Sequence, residues 1–342
     1  MNRDDREAFL SLPGRLYPWP VVHTATEAAL VDGTHVLSKH CTVRPHVLRR
    51  RGESVGRCAV TTYSDDTTAY LGFFECADAA CADDLFGWAH TTARAAGCTQ
   101  VVGPVDASFW LRYRLKTDGF DRAPYTSEPW NLESYPALWY AAGYHKTMGY
   151  SSTLYRAPTP DEADDQLAKR LSAASEHGYR VEALDLKHWD DVLTGLHALV
   201  MELYAGMPVF RPVDLDDFRA IFAPVRLVAD PDLVTLAWRG DDLVAFSVVL
   251  PDYTMTTNAR LTPATLARLW WRRRHPHRVV ALYMGSSDPG LGTAMGGRLF
   301  AQCHERHLSC VAALVGDGKP TAGYAPQFVE SRSHYELLTT VV

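Results

Sequence analysis

The chain has 342 residues, 47% of them hydrophobic and 22% charged, with a formal net charge of −6. That length predicts two globular domains with cores of their own, and the net charge gives no global attraction for polyanions, so a nucleic-acid partner would need a local basic patch. The seven Cys (41, 58, 76, 81, 98, 303 and 310) show no C-x-x-C or clustered Cys/His spacing, so they read as reduced thiols and no metal is expected.

The opening "MNRDDREAFLSLPGRLYPWP" is charged and lacks the apolar core of a signal peptide. No run approaches the roughly 18 apolar residues of a membrane span. The expectation is therefore a cytoplasmic protein with no membrane association, as monomer or homodimer. Residues 23–40 read as a short helix. "TVRPHVLRR" and "RCAVTTYSD" alternate or carry β-branched residues around the turn "RGESVG", which predicts a hairpin, and "TTAYLGFFE" is a third strand. Residues 78–97 place Ala82, Leu85, Phe86, Ala89 and Ala93 at helical spacing and end on Gly97. The strand "CTQVVGPV" comes next and runs into the irregular segment 103–131, rich in Trp, Arg and carboxylates. A helix at 135–144 and the strand "TMGYSSTLYRA" close this half.

"APTPDEAD" (157–164) reads as a boundary, so the domains are expected at 1–156 and 157–342. The second half repeats the order. It has a polar helix, the strand "YRVEALD", helices at 188–206 and "DLDDFRAIFAPVR", and a hairpin at 233–252 turning at "RGDD". A basic helix or arm, "ATLARLWWRRRHPHR", precedes the buried strand "VVALYMGSS". "DPGLG" then leads into the helix "TAMGGRLFAQCHERHL", followed by the strands "SCVAALVG" and "SHYELLTTVV". Hairpins mixed with βαβ steps define an α/β (α+β) class, each half a mixed, mainly antiparallel sheet flanked by helices. The rhyme lies in the elements and not in the residues.

With these elements in place, the chain resembles the GNAT acyltransferase superfamily, repeated in tandem as in bacterial tandem-GNAT proteins. The resemblance covers nearly the whole chain. It is carried in the second half by "LVTLAWRGDDLVAFSVVLPD" and "VVALYMGSSDPGLGTAMGGRLFAQCHERHLSCVAALV", and in the first by "LGFFE", "VVGPVDASFW", "DGF" and "PYTSEPWN". It implies an acyl-CoA-dependent N-acyltransferase with acetyl-CoA or another acyl-CoA as co-substrate and a small polar amine as acceptor, an amino acid derivative or secondary metabolite. The family's pyrophosphate loop, Gln/Arg-x-x-Gly-x-Gly/Ala, falls on 289–294: Gly292 and Ala294 match, and Pro289 stands where the family has Gln or Arg. Backbone N–H groups and a helix start make such a loop a diphosphate cradle. Gly290, Gly292, Thr293 and Ala294 are the cofactor-binding candidates, with Met284, Gly285 and Ser286 supplying a main-chain amide to polarise the thioester carbonyl. A bare strand-to-helix turn is the structural alternative for "DPGLG".

Tyr324 is the candidate acid for the departing thiolate, although Lys319 stands where the family often has Asn. After Glu75 the first half has acids and no Gly run, so no donor is expected there. Segment 103–131 leaves the carboxyl end of a strand, where α/β sheets build ligand crevices. Glu75, Asp106, Trp110, Arg112, Arg114, Asp118 and Trp130 are accordingly the acceptor-binding candidates. Alternatively Arg112, Arg114, Asp118 and Asp121 form a self-satisfied ion-pair network, with Phe109 and Trp110 in the core. The basic run 270–278 leaves a second reading open, in which a tRNA (Fem-like aminoacyl transfer) or an acyl carrier protein is the donor. A third is a degenerate, non-catalytic ligand-binding protein. His304 and His307 lack a third ligand, so no metal site is expected there.

Overall fold

The computed structural model describes residues 1–18, 24–162, 167–253, 262–288 and 291–342. Among these the chain divides into two compact units, 1–150 with 333–342, and 151–253 with 262–332.

The N-terminal stretch, given no element above, forms α1 (Arg3–Ser11) and α2 (Pro13–Leu16). Asn2 caps α1 by accepting from the Asp5 amide at 2.8 Å, and Phe9, Leu10 and Leu12 are buried. The single helix expected at 23–40 is broken: α3 (Ala25–Val31) stops before Gly33, at φ +69°, and a short 3-10 turn follows. β1 (Thr42–Arg50) and β2 (Glu53–Thr62) join through Arg51 and Gly52, both at positive φ, a tighter turn than the segment "RGESVG" suggested. All nine residues of β3 (Thr68–Cys76) are buried. α4 (Ala79–Ala95) is capped by Asp78 and buries Cys81, Ala82, Leu85, Phe86, Ala89 and Ala93, the face its sequence spacing defines. β4 (Gln100–Gly103), β5 (Leu115–Lys116), α5 (Tyr135–Ala141) and β6 (His145–Tyr155) follow.

Next come α6 (Leu167–Glu176), β7 (Tyr179–Ala183), α7 (Trp189–Tyr204), α8 (Leu215–Phe222) and α9 (Val225–Val228). β8 (Thr235–Arg239) and β9 (Asp242–Pro251) are the expected hairpin. α10 (Pro263–Arg274), β10 (Arg278–Ser286), α11 (Gly292–Arg306), β11 (Ser309–Gly316) and β12 (Val329–Val341) complete the chain.

In the first unit β1, β2 and β3 pair antiparallel, β3 and β4 pair parallel with α4 as the crossover, and β4 pairs antiparallel with β12. Alternation along β2 sends Cys58 and Val60 into a core with α4, and Ala59 into a second core with Phe9, Leu10 and Leu30. Helices therefore cover both faces of this sheet. The second unit runs β7, β8, β9, β10 antiparallel and then β10 to β11 parallel with α11 as crossover. Its cores gather Leu233, Val249, Val279 and Cys303 in one cluster, and Ala174, Ala237, Ala245, Leu291 and Met295 in another, with α11 contributing to both. Each unit is thus a mixed, mainly antiparallel sheet with helices against it. Among the described residues no helix is long and apolar enough to cross a membrane.

Candidate functional site

The segment that the sequence singled out packs back into its own unit. β3 pairs with β4 only as far as Tyr70 and Val102. Beyond that point the chain from Pro104 onward lies against β3, and the Val105 amide donates to the Leu71 carbonyl at 2.8 Å. A Cβ on Gly72 would lie 2.0 Å from the Val105 carbonyl oxygen, so only glycine admits this approach. Asp106 is buried with both oxygens engaged: Oδ1 accepts from the Phe73 amide at 2.5 Å and Oδ2 from Arg112 Nε at 2.8 Å.

Glu75, at the end of β3, is 1% exposed. Its carboxylate accepts from the hydroxyls of Tyr17 at 3.0 Å and Tyr135 at 2.9 Å. Burial pushes its carboxyl above the usual range, opposed by the charges of Arg57 and Arg112 and by the two hydroxyls. Burial and the Glu75 charge push both tyrosines up as well. Arg57, itself buried, donates to the Phe9 carbonyl at 2.7 Å and to the Glu27 carboxylate. Arg114, at φ +90°, lies over the rings of Tyr113 and Tyr150 at 3.7 and 4.1 Å. Trp130 carries Lys116 Nζ over its ring at 4.3 Å.

The structure therefore brings Glu75, Asp106, Arg112, Arg114 and Trp130 around one cavity. Trp110 stacks edge-on against Phe109 and is not among the lining residues, and Asp118 is held by the main-chain amide and Nδ1 of His334 at 2.7 and 2.6 Å. The cavity measures about 30 Å³, room for roughly two water-sized groups and far below the ~300–1,000 Å³ of a small-molecule pocket. Sequence reasoning missed Tyr17, Tyr135 and Trp139. The last two sit four residues apart in α5, one helical turn, which was the available signal.

In the second unit β10 follows β11 only from Arg278/Ser309 to Ala281/Ala312, and a bulge between Ala281 and Tyr283 turns the strand beyond. Met284, Gly285 and Ser286 lie on that departing end, opposite Ser247, Phe246 and Ala245 of β9. A Cβ on Gly285 would come within 2.7 Å of the Leu203 side chain. Pro289 and Gly290 lie outside the described residues. α11 starts at Gly292 with Leu291 as N-cap and no side-chain cap, so its first-turn amides, 292–294, head out of the helix start. A Cβ at Gly292 would meet open space, while Ala294 is buried. Tyr324 is 39% exposed and stands over the second turn of α11, its hydroxyl 3.0 Å from where a Cβ of Gly296 would be. Its carbonyl accepts from the Tyr155 hydroxyl at 3.0 Å. A feature the sequence did not announce is Asp288, whose carboxylate takes Arg239 at 2.7 Å and the Tyr179 hydroxyl. His304 points at the Pro160 carbonyl at 3.2 Å, and His307 caps α11 at φ +51°.

The basic run forms α10. Its Trp270 and Trp271 are 55% and 58% exposed, with Arg274 over Trp270 at 4.0 Å and His275 stacked on Trp271 at 4.1 Å. Arg272 donates to the Tyr253 carbonyl at 2.9 Å.

These two units, each a bulged strand, crossover helix and parallel partner flanked by antiparallel strands, define the GNAT class of fold in tandem. No protein-family model and no curated protein matches the sequence. Solved structures do. A tandem GNAT protein from the clavulanic acid biosynthesis pathway is 13% identical, with a TM-score of 0.54 over 99% of this chain and 96% of its own. A GCN5-related glucosamine N-acetyltransferase region of a fungal multi-domain GH3 β-N-acetylglucosaminidase is 12% identical, with a TM-score of 0.54 over 99% of this chain and 37% of that one. At such identities the likeness is one of fold.

Proposed function

We propose that the chain is an acyl-CoA-dependent N-acyltransferase with its donor site in the second unit. The observation that supports this most is the parting of β10 from β11 beside the uncapped start of α11. A diphosphate on the amides of 292–294 would meet the positive end of a helix 15 residues long. The thioester would then extend along Met284–Ser286, where a main-chain amide polarises its carbonyl. A neutral amine attacks that carbon, the C–N bond forms as the C–S bond breaks, and the leaving thiolate takes a proton from Tyr324. The ammonium proton goes to solvent or to a base on the acceptor side.

The first unit binds no donor in this reading, because the chain at 105–106 already occupies the Leu71 carbonyl and the Phe73 amide. Arg112 and Trp130, at the rim of its cavity, are the residues left to contact an acceptor, a small polar amine. The exposed Trp and Arg of α10 favour a second reading, in which a carrier protein or aminoacyl-tRNA supplies the acyl group.

Calorimetric titration with acetyl-CoA, longer acyl-CoAs and free CoA tests the proposal. Binding that Gly292→Glu abolishes supports a donor site at α11. No binding by any CoA removes the lead reading. Loss of transfer from acylated carrier protein or aminoacyl-tRNA on replacing Arg272, Arg273 and Arg274 would then support the second.

A further inference from the structure

The small cavity of the first unit is unevenly provided with hydrogen-bonding groups. Its carboxylates already receive donors from the protein, both oxygens of Asp106 and the carboxylate of Glu75 among them. Asn131 is likewise spent, its oxygen on the Lys116 amide at 2.7 Å and its amide nitrogen on the Lys116 carbonyl at 3.1 Å. Two donors among the lining residues have no acceptor: Trp139 Nε1, on a side chain 0% exposed, and the buried Nε of Arg114. Indole and guanidinium nitrogens can only donate, and buried donors are nearly always paired. Two buried donors on lining residues are therefore left for an occupant that accepts hydrogen bonds.

Charge narrows the class. Arg112 is paired with Asp106, whereas Arg114 has no carboxylate partner among the described residues and rests on two aromatic faces. Arg114 also donates to the Tyr113 hydroxyl, and although Glu75 lines the same cavity no ion pair among the described residues neutralises the guanidinium, which favours an anion in partly buried surroundings. The space of about 30 Å³ admits two water-sized groups, which suits the two oxygens of one carboxylate. Arg112, 40% exposed along its side chain, stands at the rim as the way in.

We propose that this cavity is a binding site for one small anion, a carboxylate or a halide, held by Arg114 Nε and Trp139 Nε1. The site is independent of the donor reading of the second unit. It would take either a free ion or the carboxylate end of a larger molecule whose body stays outside, against Arg112 and Trp130.

The experiment titrates the full chain with sodium formate, sodium bromide and glycine at constant ionic strength, using benzenesulfonate as an anion too large to enter. Heat or thermal unfolding is the readout, and crystals grown in bromide provide an anomalous map. The expected result is saturable binding of formate and bromide, at least ten-fold weaker in Arg114→Met and in Trp139→Phe, with a bromide peak in the cavity. Glycine binding as well as formate identifies a carboxylate end with a body outside. Formate and bromide binding without glycine identifies a free ion. A wild-type crystal with water and no bromide in the cavity overturns the proposal even if the variants fail to fold. So does an equal response to formate and benzenesulfonate.

Discussion

Lys116→Met tests how the irregular segment is pinned. The Lys116 and Glu128 side chains are 2% and 3% exposed, with Nζ 2.5 Å from Oε1. Glu128 also accepts from the Tyr335 hydroxyl and from the Tyr125 amide at 3.1 Å. Burial lowers the Lys116 pKa while Glu128 pulls it back up. Removing the ammonium leaves a desolvated carboxylate with hydrogen bonds but no countercharge, which costs about 3–5 kcal/mol. For a unit of this size that is a fall in Tm of roughly 6–20 °C, at ~2–4 °C per kcal/mol. In Lys116→Met/Glu128→Gln the charge is gone and an acceptor for Tyr335 remains, so most of the loss should return. Urea unfolding followed by circular dichroism measures both variants. A single-variant loss below about 1 kcal/mol, or a double variant no more stable than the single, would refute the account of the pair as desolvated and mutually dependent.

Three further outcomes are expected. Glu75 has a native pKa raised above its ordinary ~4.3, so the folded state holds the proton to higher pH than the unfolded state. Its contribution to stability is therefore full below that ordinary value and is lost as pH rises through the native one. Glu75→Gln should flatten that part of the profile, and parallel melting curves from pH 4 to 8 would rule the linkage out. Gly72→Ala, which sets a Cβ 2.0 Å from the Val105 oxygen, should cost about 1–3 kcal/mol or more, read by chemical denaturation. Tyr324→Phe should slow acyl transfer by roughly 10²-fold with donor affinity unchanged in calorimetry. An unaltered rate would leave Tyr324 a packing residue.

Periodicity located α4, β3 and the β8–β9 hairpin because their burial follows one face or a short apolar run. The N-terminal helices escaped because α1 is mostly charged and buries only Phe9 and Leu10. The residue types of the candidate cluster were also legible, since Glu75, Asp106 and Arg112 do meet. Their partners were not, because Tyr17 and Tyr135 reach Glu75 across 58 and 60 residues of chain, and contacts of that separation leave no local pattern. Nor could spacing show whether segment 103–131 would line a crevice or fill it. That depended on Gly72 letting main chain approach main chain.

The same glycine sets the terms on which the first unit can be redesigned. The strand end is sealed by polypeptide backbone, through the Val105 amide and the peptide around Asp106, so trimming side chains one at a time cannot reopen it. An engineer seeking a ligand pocket at this strand end would have to excise or reroute part of residues 104–114. Lys116 and Asn131 would have to be kept as the anchors that hold the rest of the segment in place.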